Sequence, residues 1–364
     1  MTGAIPLSHL TIDDAIRQAA LGALESGRYI LAEQCAAFER EIAAYVGRKH
    51  CVLSSSWTAA VQLLHIAQGV TPGDEIIVPS HTAFPSIEPM IHAGARPVFV
   101  DVDDSYCLDP LAVAAALTPR TVGVIPVHLY GHPADLDPIL ALARKRGIWV
   151  LEDCAQSHGA MYKGRRTGAI GDVSAFSFYP SKNLSVCGDG GCIMTDDDAI
   201  AGRVRMLRDH GRKSKFTHDA VGFNLRFNEI QAAIGRVILG KLDGFNAQRR
   251  LIARRYDERL KGLVATPPER DWAQAVYHMY VIRTPRRDAL QKHLADRGIG
   301  TGIHYPVPNH RQPAIVERYK ALPPLPRTEA AVGEILSLPI FGEMTLEQAD
   351  LVCEAIAGFF PGKR

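Results

Sequence analysis

Short runs of apolar residues recur through the middle of the chain, each closed by a polar or glycine-rich stretch. Residues 51–54, 76–79, 97–101, 122–127, 149–153, 173–178 and 192–195 read as buried strands. Segments with helical spacing, such as 57–68 and 136–146, fall between several of them. This alternation predicts an α/β fold, doubly wound and built on a mostly parallel central sheet with helices on both faces. Residues 11–46 read as helical with a turn at Gly27 and Tyr29, and 228–260 as one long helix running into a second unit. After Thr266-Pro267-Pro268 the pattern mixes a strand at 278–283 with helices at 287–297 and 346–359, as a smaller α+β domain would. The expected division is a large domain over 1–247, N-terminal helices included, and a small one over 248–364.

Composition narrows the class. A chain of 364 residues with 47% hydrophobic and 22% charged content can build a sizeable core and is long enough for two domains. A net charge of +2 is too small to argue for nucleic acid. Neither an 18-residue apolar span nor a charged-apolar-small N-terminal pattern occurs, so a soluble, unsecreted protein is expected. The seven cysteines are scattered and none forms a C-x-x-C pair, which argues against a disulfide framework or zinc and suits a reducing cytoplasm. His128 and His132 stand four apart, but Gly131 and Pro133 make that stretch a strand end and turn, so no metal site is expected.

The chemistry concentrates at strand ends. The run 173–178 closes in hydroxyl residues, followed by Lys182 and then Gly188, Gly190 and Gly191. Ligands of α/β sheets bind at the carboxyl ends of strands, where an amine is useful and glycines admit close backbone approach. A lone loop lysine is ordinarily a solvated one. Yet Trp149–Asp153 ends in two acids at the same expected rim, although a carboxylate there commonly caps the next turn. An acid and an amine together suit pyridoxal phosphate, whose aldehyde needs a lysine and whose ring nitrogen needs an acid partner. Gln156 is a neutral neighbour for the ring oxygen. Ser54-Ser55-Ser56-Trp57-Thr58 precedes a helix whose free N–H groups favour a phosphate, with a plain N-cap as the simpler alternative. Ser177 offers a further hydroxyl.

These stretches together resemble the DegT/DnrJ/EryC1/StrS aminotransferases, sugar aminotransferases of the fold-type I pyridoxal-phosphate superfamily. The likeness rests on TPGDEIIVP at 71–79, GARPVFVD at 94–101, VHLYG at 127–131, EDCAQ at 152–156 and SFYPSKNL at 177–184. It continues through GDGG at 188–191, LRDHG at 207–211, GFNLR at 222–226 and EIQAA at 229–233, and more weakly through IHYP at 303–306 and LSLP at 336–339. The resemblance implies that Lys182 bonds the cofactor and shuttles protons, that Asp153 pairs with the ring nitrogen, and that Gln156 lies near the ring hydroxyl. It implies that Thr58, the backbone at Trp57, and Ser177 hold the phosphate. Asn224 would reach that phosphate from the other subunit of a homodimer.

Two positions depart from the family pattern. Trp57 stands where glycine is frequent. Ala83 stands where an aromatic residue often stacks on the ring, so Phe84, or alternatively His81, is expected to supply ring area. The basic run Arg205, Arg208, Arg212, Lys213 and Lys215 is either a solvated face or positive charge for a nucleotide diphosphate near the site mouth. The implied reaction moves an amino group from glutamate or glutamine to a nucleotide-linked keto-sugar. A cyclitol ketone as acceptor and a non-catalytic cofactor-binding regulator are the alternatives. Lys182 argues against the dehydrating branch, which carries histidine there, and no G-x-G-x-x-G follows a strand to support a dehydrogenase.

Overall fold

The computed structural model describes residues 4–320 and 322–360; residues 1–3 and 361–364, the outer ends of the two expected domains, lie outside the described residues. Seven strands form the central sheet in the spatial order His50–Ser54, Gly191–Thr195, Val173–Ser177, Trp149–Asp153, Thr121–Val124, Glu75–Pro79 and Arg96–Val100. The last five pair in parallel, while Gly191–Thr195 is antiparallel to both of its neighbours. The expected strand 122–127 stops at Val124, and Val127 rejoins the sheet through a single bridge to Asp153.

Period-two alternation divides the sheet's side chains between two cores. Val52, Leu151, Ala175 and Ile193 pack on one face with Leu63 and Leu64 of helix Trp57–Ala67. Leu53, Phe176, Cys192 and Met194 pack on the other with Phe38, Ile42 and Ile238. Burial on both faces is why these strands read as continuous apolar runs.

Helix Glu229–Leu260 spans the expected boundary without a break. Its first half buries Ala232, Ile238 and Leu242 against the sheet, and its second half buries Ile252, Tyr256 and Leu260 in a separate C-terminal core. One rod thus serves two cores, and a division near 247 is a proposal. Ile5, expected in the large domain, instead packs in the C-terminal core, its N–H donating to the Gly298 carbonyl and its carbonyl accepting from the Gly300 N–H. Glu229 also caps a neighbour. Helix Glu33–Val46 starts at Ala32, which has no capping side chain, and Glu229 accepts instead from the Ala32, Gln34 and Cys35 N–H groups at 2.7–2.9 Å.

Successive strand residues face opposite ways, so Glu152 and Asp153 have different neighbours. Glu152 is fully buried and accepts from the N–H groups of Gly168, Ile170 and Gly171 at 2.7–2.8 Å and from His128 Nε2 at 3.1 Å. Burial alone would raise its pKa, but His128 and those backbone donors hold it below the ordinary carboxylate range. Its stabilising effect is therefore present above that range and lost as acid protonates it. Replacing Glu152 with Ala strands three backbone donors, and urea unfolding should show a loss of roughly 3 kcal/mol or more at neutral pH. A loss under about 1 kcal/mol would mean that water satisfies those N–H groups.

Candidate active site

The strand ends meet around a cavity of about 370 Å³ lined by Trp57, Thr58, Asp153, Gln156, Ser177 and Lys182, within the range of small-molecule sites. Asp153 ends a central strand and is 2% exposed. Its Oδ2 accepts from Ser86 Oγ at 2.8 Å and its Oδ1 from the Ala155 N–H at 3.0 Å. Burial raises its pKa, against the pull of those donors and of the Lys182 charge. Lys182 follows the strand Val173–Ser177 in a turn closed by its own N–H on the Tyr179 carbonyl. Burial lowers its amine to about 8, with the Asp153 charge opposing the drop.

Gln156 has a defined amide orientation. Its Oε1 accepts from the Tyr130 N–H at 2.6 Å, so its Nε2 is the donor, directed to the Tyr305 hydroxyl at 3.1 Å. Tyr130 offers that N–H from a left-handed conformation, φ 59°. Its own hydroxyl bonds to His81 Nε2 at 2.7 Å and to the His304 carbonyl.

Among the serines before helix Trp57–Ala67, Ser54 donates to the Leu225 carbonyl and Ser56 accepts from the Ala59 N–H. The plain N-cap reading thus holds for Ser56. The Trp57 and Thr58 N–H groups have no acceptor among the described residues, and they open an 11-residue helix onto the cavity. Unpaired N–H groups at a helix start favour an anion. Trp57 is not in a left-handed conformation, so tryptophan is unstrained where glycine is frequent in the family. Glycine is required across from it. A Cβ on Gly191 would lie 2.4 Å from the Trp57 nitrogen, and one on Gly190 would lie 2.7 Å from the Phe227 ring. Gly191 thus admits the start of the helix, while Gly190, hemmed by the Phe227 ring, also lines the cavity.

Phe84 is not brought to the cavity, contrary to expectation. It packs against the sheet core at the start of the 3-10 turn Phe84–Ser86, which turns Ser86 toward Asp153. His81 is buried and committed to Tyr130. Thr82, Ala83 and Pro85 supply that wall instead. Asn224 is exposed, pairs through its backbone with Asp209, and does not line its own chain's cavity. The basic run divides: Arg208 is buried on Glu39 and the Leu53 carbonyl, whereas Arg212 and Lys213 pair with Asp209 and Asp219 near the surface. Ser86, Tyr130 and Tyr305 were missed. Ser86 lies in a short turn with no local signal, and Tyr130 and Tyr305 sit in stretches noted only for family likeness.

His128, Glu152 and Cys154 come within 4.8 Å of one another. Both ring nitrogens of His128 are in use, Nδ1 accepting from the Ala134 N–H and Nε2 donating to Glu152, which makes the cluster a structural one. The cavity's donor set suits pyridoxal phosphate: an amine of lowered pKa, a buried acid, and unpaired N–H groups with hydroxyls beside them.

The sequence model of the DegT/DnrJ/EryC1/StrS aminotransferase family matches residues 10–357. The chain is similar to the erythromycin biosynthesis sensory transduction protein EryC1 of Saccharopolyspora erythraea, 45% identical over 95% of each chain. It is as similar to the dTDP-3-amino-3,4,6-trideoxy-alpha-D-glucose transaminase of Streptomyces venezuelae, 45% identical over 92% of this chain and 89% of the other. The crystal structure of Streptomyces venezuelae DesV, in complex with a ketimine intermediate, matches with a TM-score of 0.95 at 42% identity and covers 99% of both chains.

The Lys182 and Asp153 environments make a titration prediction. In protein freed of bound cofactor, labelling of Lys182 by an amine-directed reagent should rise with pH around a midpoint near 8, below the ordinary lysine value of 10.5. Asp153→Asn removes the charge that opposes the drop, so the midpoint should fall further. An unchanged midpoint in that variant would show that the two groups do not sense each other.

Proposed function

The chain belongs to the DegT/DnrJ/EryC1/StrS aminotransferase family, and from that premise we propose that it is a pyridoxal-phosphate-dependent sugar aminotransferase. It transfers an amino group from glutamate or glutamine to a keto-deoxysugar carried on a nucleotide. The observation that carries this reading is the pairing of an amine of lowered pKa, Lys182, with a buried acid, Asp153, on one cavity. When bound, the cofactor supplies an aldehyde that takes up the migrating amino group and a ring that withdraws electrons from the reacting carbon.

The chain's own residues do the rest. Lys182 would hold the cofactor through Nζ and would move protons at the substrate carbon, a role suited to an amine whose pKa burial lowers to about 8. Asp153, its carboxylate oriented by Ser86 and the Ala155 N–H, would keep the ring nitrogen protonated. Gln156, its amide fixed by Tyr130 and Tyr305, would lie near the ring hydroxyl. Thr58, the Trp57 N–H and Ser177 would hold the phosphate. Ala83, with Thr82 and Pro85, forms the wall where a ring was expected.

A relative named as a dTDP-sugar transaminase supports a nucleotide-linked acceptor over a cyclitol. The sensory-transduction name of another relative raises the regulatory alternative. Retention of Lys182, Asp153, Gln156 and Ser177 around one cavity favours catalysis. The holoprotein should be yellow, and borohydride should fix the cofactor on the peptide containing Lys182. Label on another lysine, or none, would end the transaminase reading.

The active site is shared across a homodimer in this proposal, Asn224 of the partner subunit adding a phosphate contact. Support comes from the exposure of Asn224 outside its own cavity, and from exposed Tyr29 and Ile30 beside Asn228 in the same region. Mixing inactive Lys182→Ala protein with an inactive, disruptive Asn224 variant under subunit exchange should restore activity in part, since one hybrid site receives both intact residues. Stable mixed dimers without activity would place Asn224 within its own chain.

A further inference from the structure

Lys182 and Tyr179 also border a second cavity, of about 500 Å³, walled by His9, Ser181, Phe245, Arg249 and Glu343 among others. Arg249 comes from helix Glu229–Leu260 and is 5% exposed. Its Nη1 donates to the carbonyls of Tyr277, His278 and Ile340 at 3.1, 3.4 and 3.0 Å. That much is structural, tying the helix to two segments of the small unit. Its Nε is buried without a hydrogen-bond partner, and its Nη2 makes no hydrogen bond among the described residues. A guanidinium withdrawn from water with a single nitrogen satisfied is costly unless another group takes its remaining donors. Burial lowers its pKa to about 10, against the charge of Glu343, so it remains a cation at neutral pH.

Transamination makes a matching demand. An amino-acid donor carries a carboxylate on the carbon that bears its amine. When that amine reaches the position held by the Lys182 amine, the carboxylate must be close by and needs a cation or paired N–H donors. Among the described residues lining either cavity, Lys182 and Arg249 are the only lysine or arginine side chains. Lys182 is occupied by the chemistry itself. Arginine, with planar paired donors, is the side chain suited to a carboxylate.

We propose that Arg249 binds the α-carboxylate of the amino-acid donor, and that the cavity between Arg249 and Lys182 seats that donor. This inference rests on the transaminase reading above. The keto-sugar carries no carboxylate requirement at its reacting carbon, so Arg249 separates the two half-reactions: it serves the donor and is indifferent to the acceptor.

The test uses the holoprotein and follows loss of its visible absorbance on titration with amino donors. For the unmutated protein, the α-methyl ester of glutamate should bind roughly tenfold to a hundredfold more weakly than glutamate, the range for one charge-assisted contact. Arg249→Lys keeps a cationic donor for the three carbonyls but loses the second nitrogen. It should fold and show a similar loss for glutamate, with little further loss for the ester. Calorimetric binding of glutarate, which has no amine to react, should weaken in parallel. The keto-sugar half-reaction, starting from the aminated cofactor, should keep its wild-type KM, which a merely structural defect would not spare. Equal affinity for glutamate and its ester, or an Arg249→Lys protein with unchanged glutamate and glutarate affinity, overturns the assignment while leaving the transaminase reading intact. Failure to label Lys182 with borohydride overturns the reading beneath it, and this inference with it.

Discussion

A carboxylate buried at the end of a central strand sets the terms for the site. Asp153 is held by two neutral donors, Ser86 and the Ala155 N–H, which orient it without cancelling its charge. Burial pushes its pKa up, and the charge of the Lys182 amine, itself pushed down by burial, opposes that rise. Each group is thus held away from its ordinary titration behaviour, and each partly restrains the other. Such a pair is expensive to maintain unless a ligand uses it, which is why perturbed groups of this kind cluster at functional sites.

That arrangement depends on the strand being fixed in depth and register. Glu152 does this from the opposite face, gathering the 168–171 loop and His128 onto one carboxylate. A slip of one residue would exchange the two acids, placing Asp153 among the loop's N–H groups and Glu152 on the cavity. The antiparallel strand Gly191–Thr195 closes the other side. It passes so near the start of helix Trp57–Ala67 that only glycine fits at its first position.

Helix Glu229–Leu260 links this rim to the small unit. One rod contributes to the sheet core, to the C-terminal core, and, through Phe245 and Arg249, to the wall of the second cavity. The N-terminal segment returns from the small unit to the same wall, its Thr11 N–H bonded to Glu343 at 3.0 Å. Groups for the two proposed substrates can therefore be supplied from both units around one amine.

The sequence by itself determined the class of fold, the seven sheet strands and the long helix, because burial on both faces writes an unbroken apolar run and helical burial a 3.6-residue period. It also determined which side chains would gather, since strand ends in a parallel sheet share one rim: Lys182, Asp153, Gln156, Ser177, Trp57 and Thr58 all meet there. What it left undecided was orientation and long-range partnership. Phe84 and Ala83 are adjacent, and only the 3-10 turn decides that the ring enters the core and the methyl faces the cavity. Ser86 finds Asp153 across 67 residues, and Tyr305 finds Gln156 across 149. Arg249 reads locally as one more arginine in a basic helix; three carbonyls and a cavity wall single it out. Local periodicity encodes which face is buried, but the partner that a buried polar group meets is set by how distant segments pack, and that no window of the chain records.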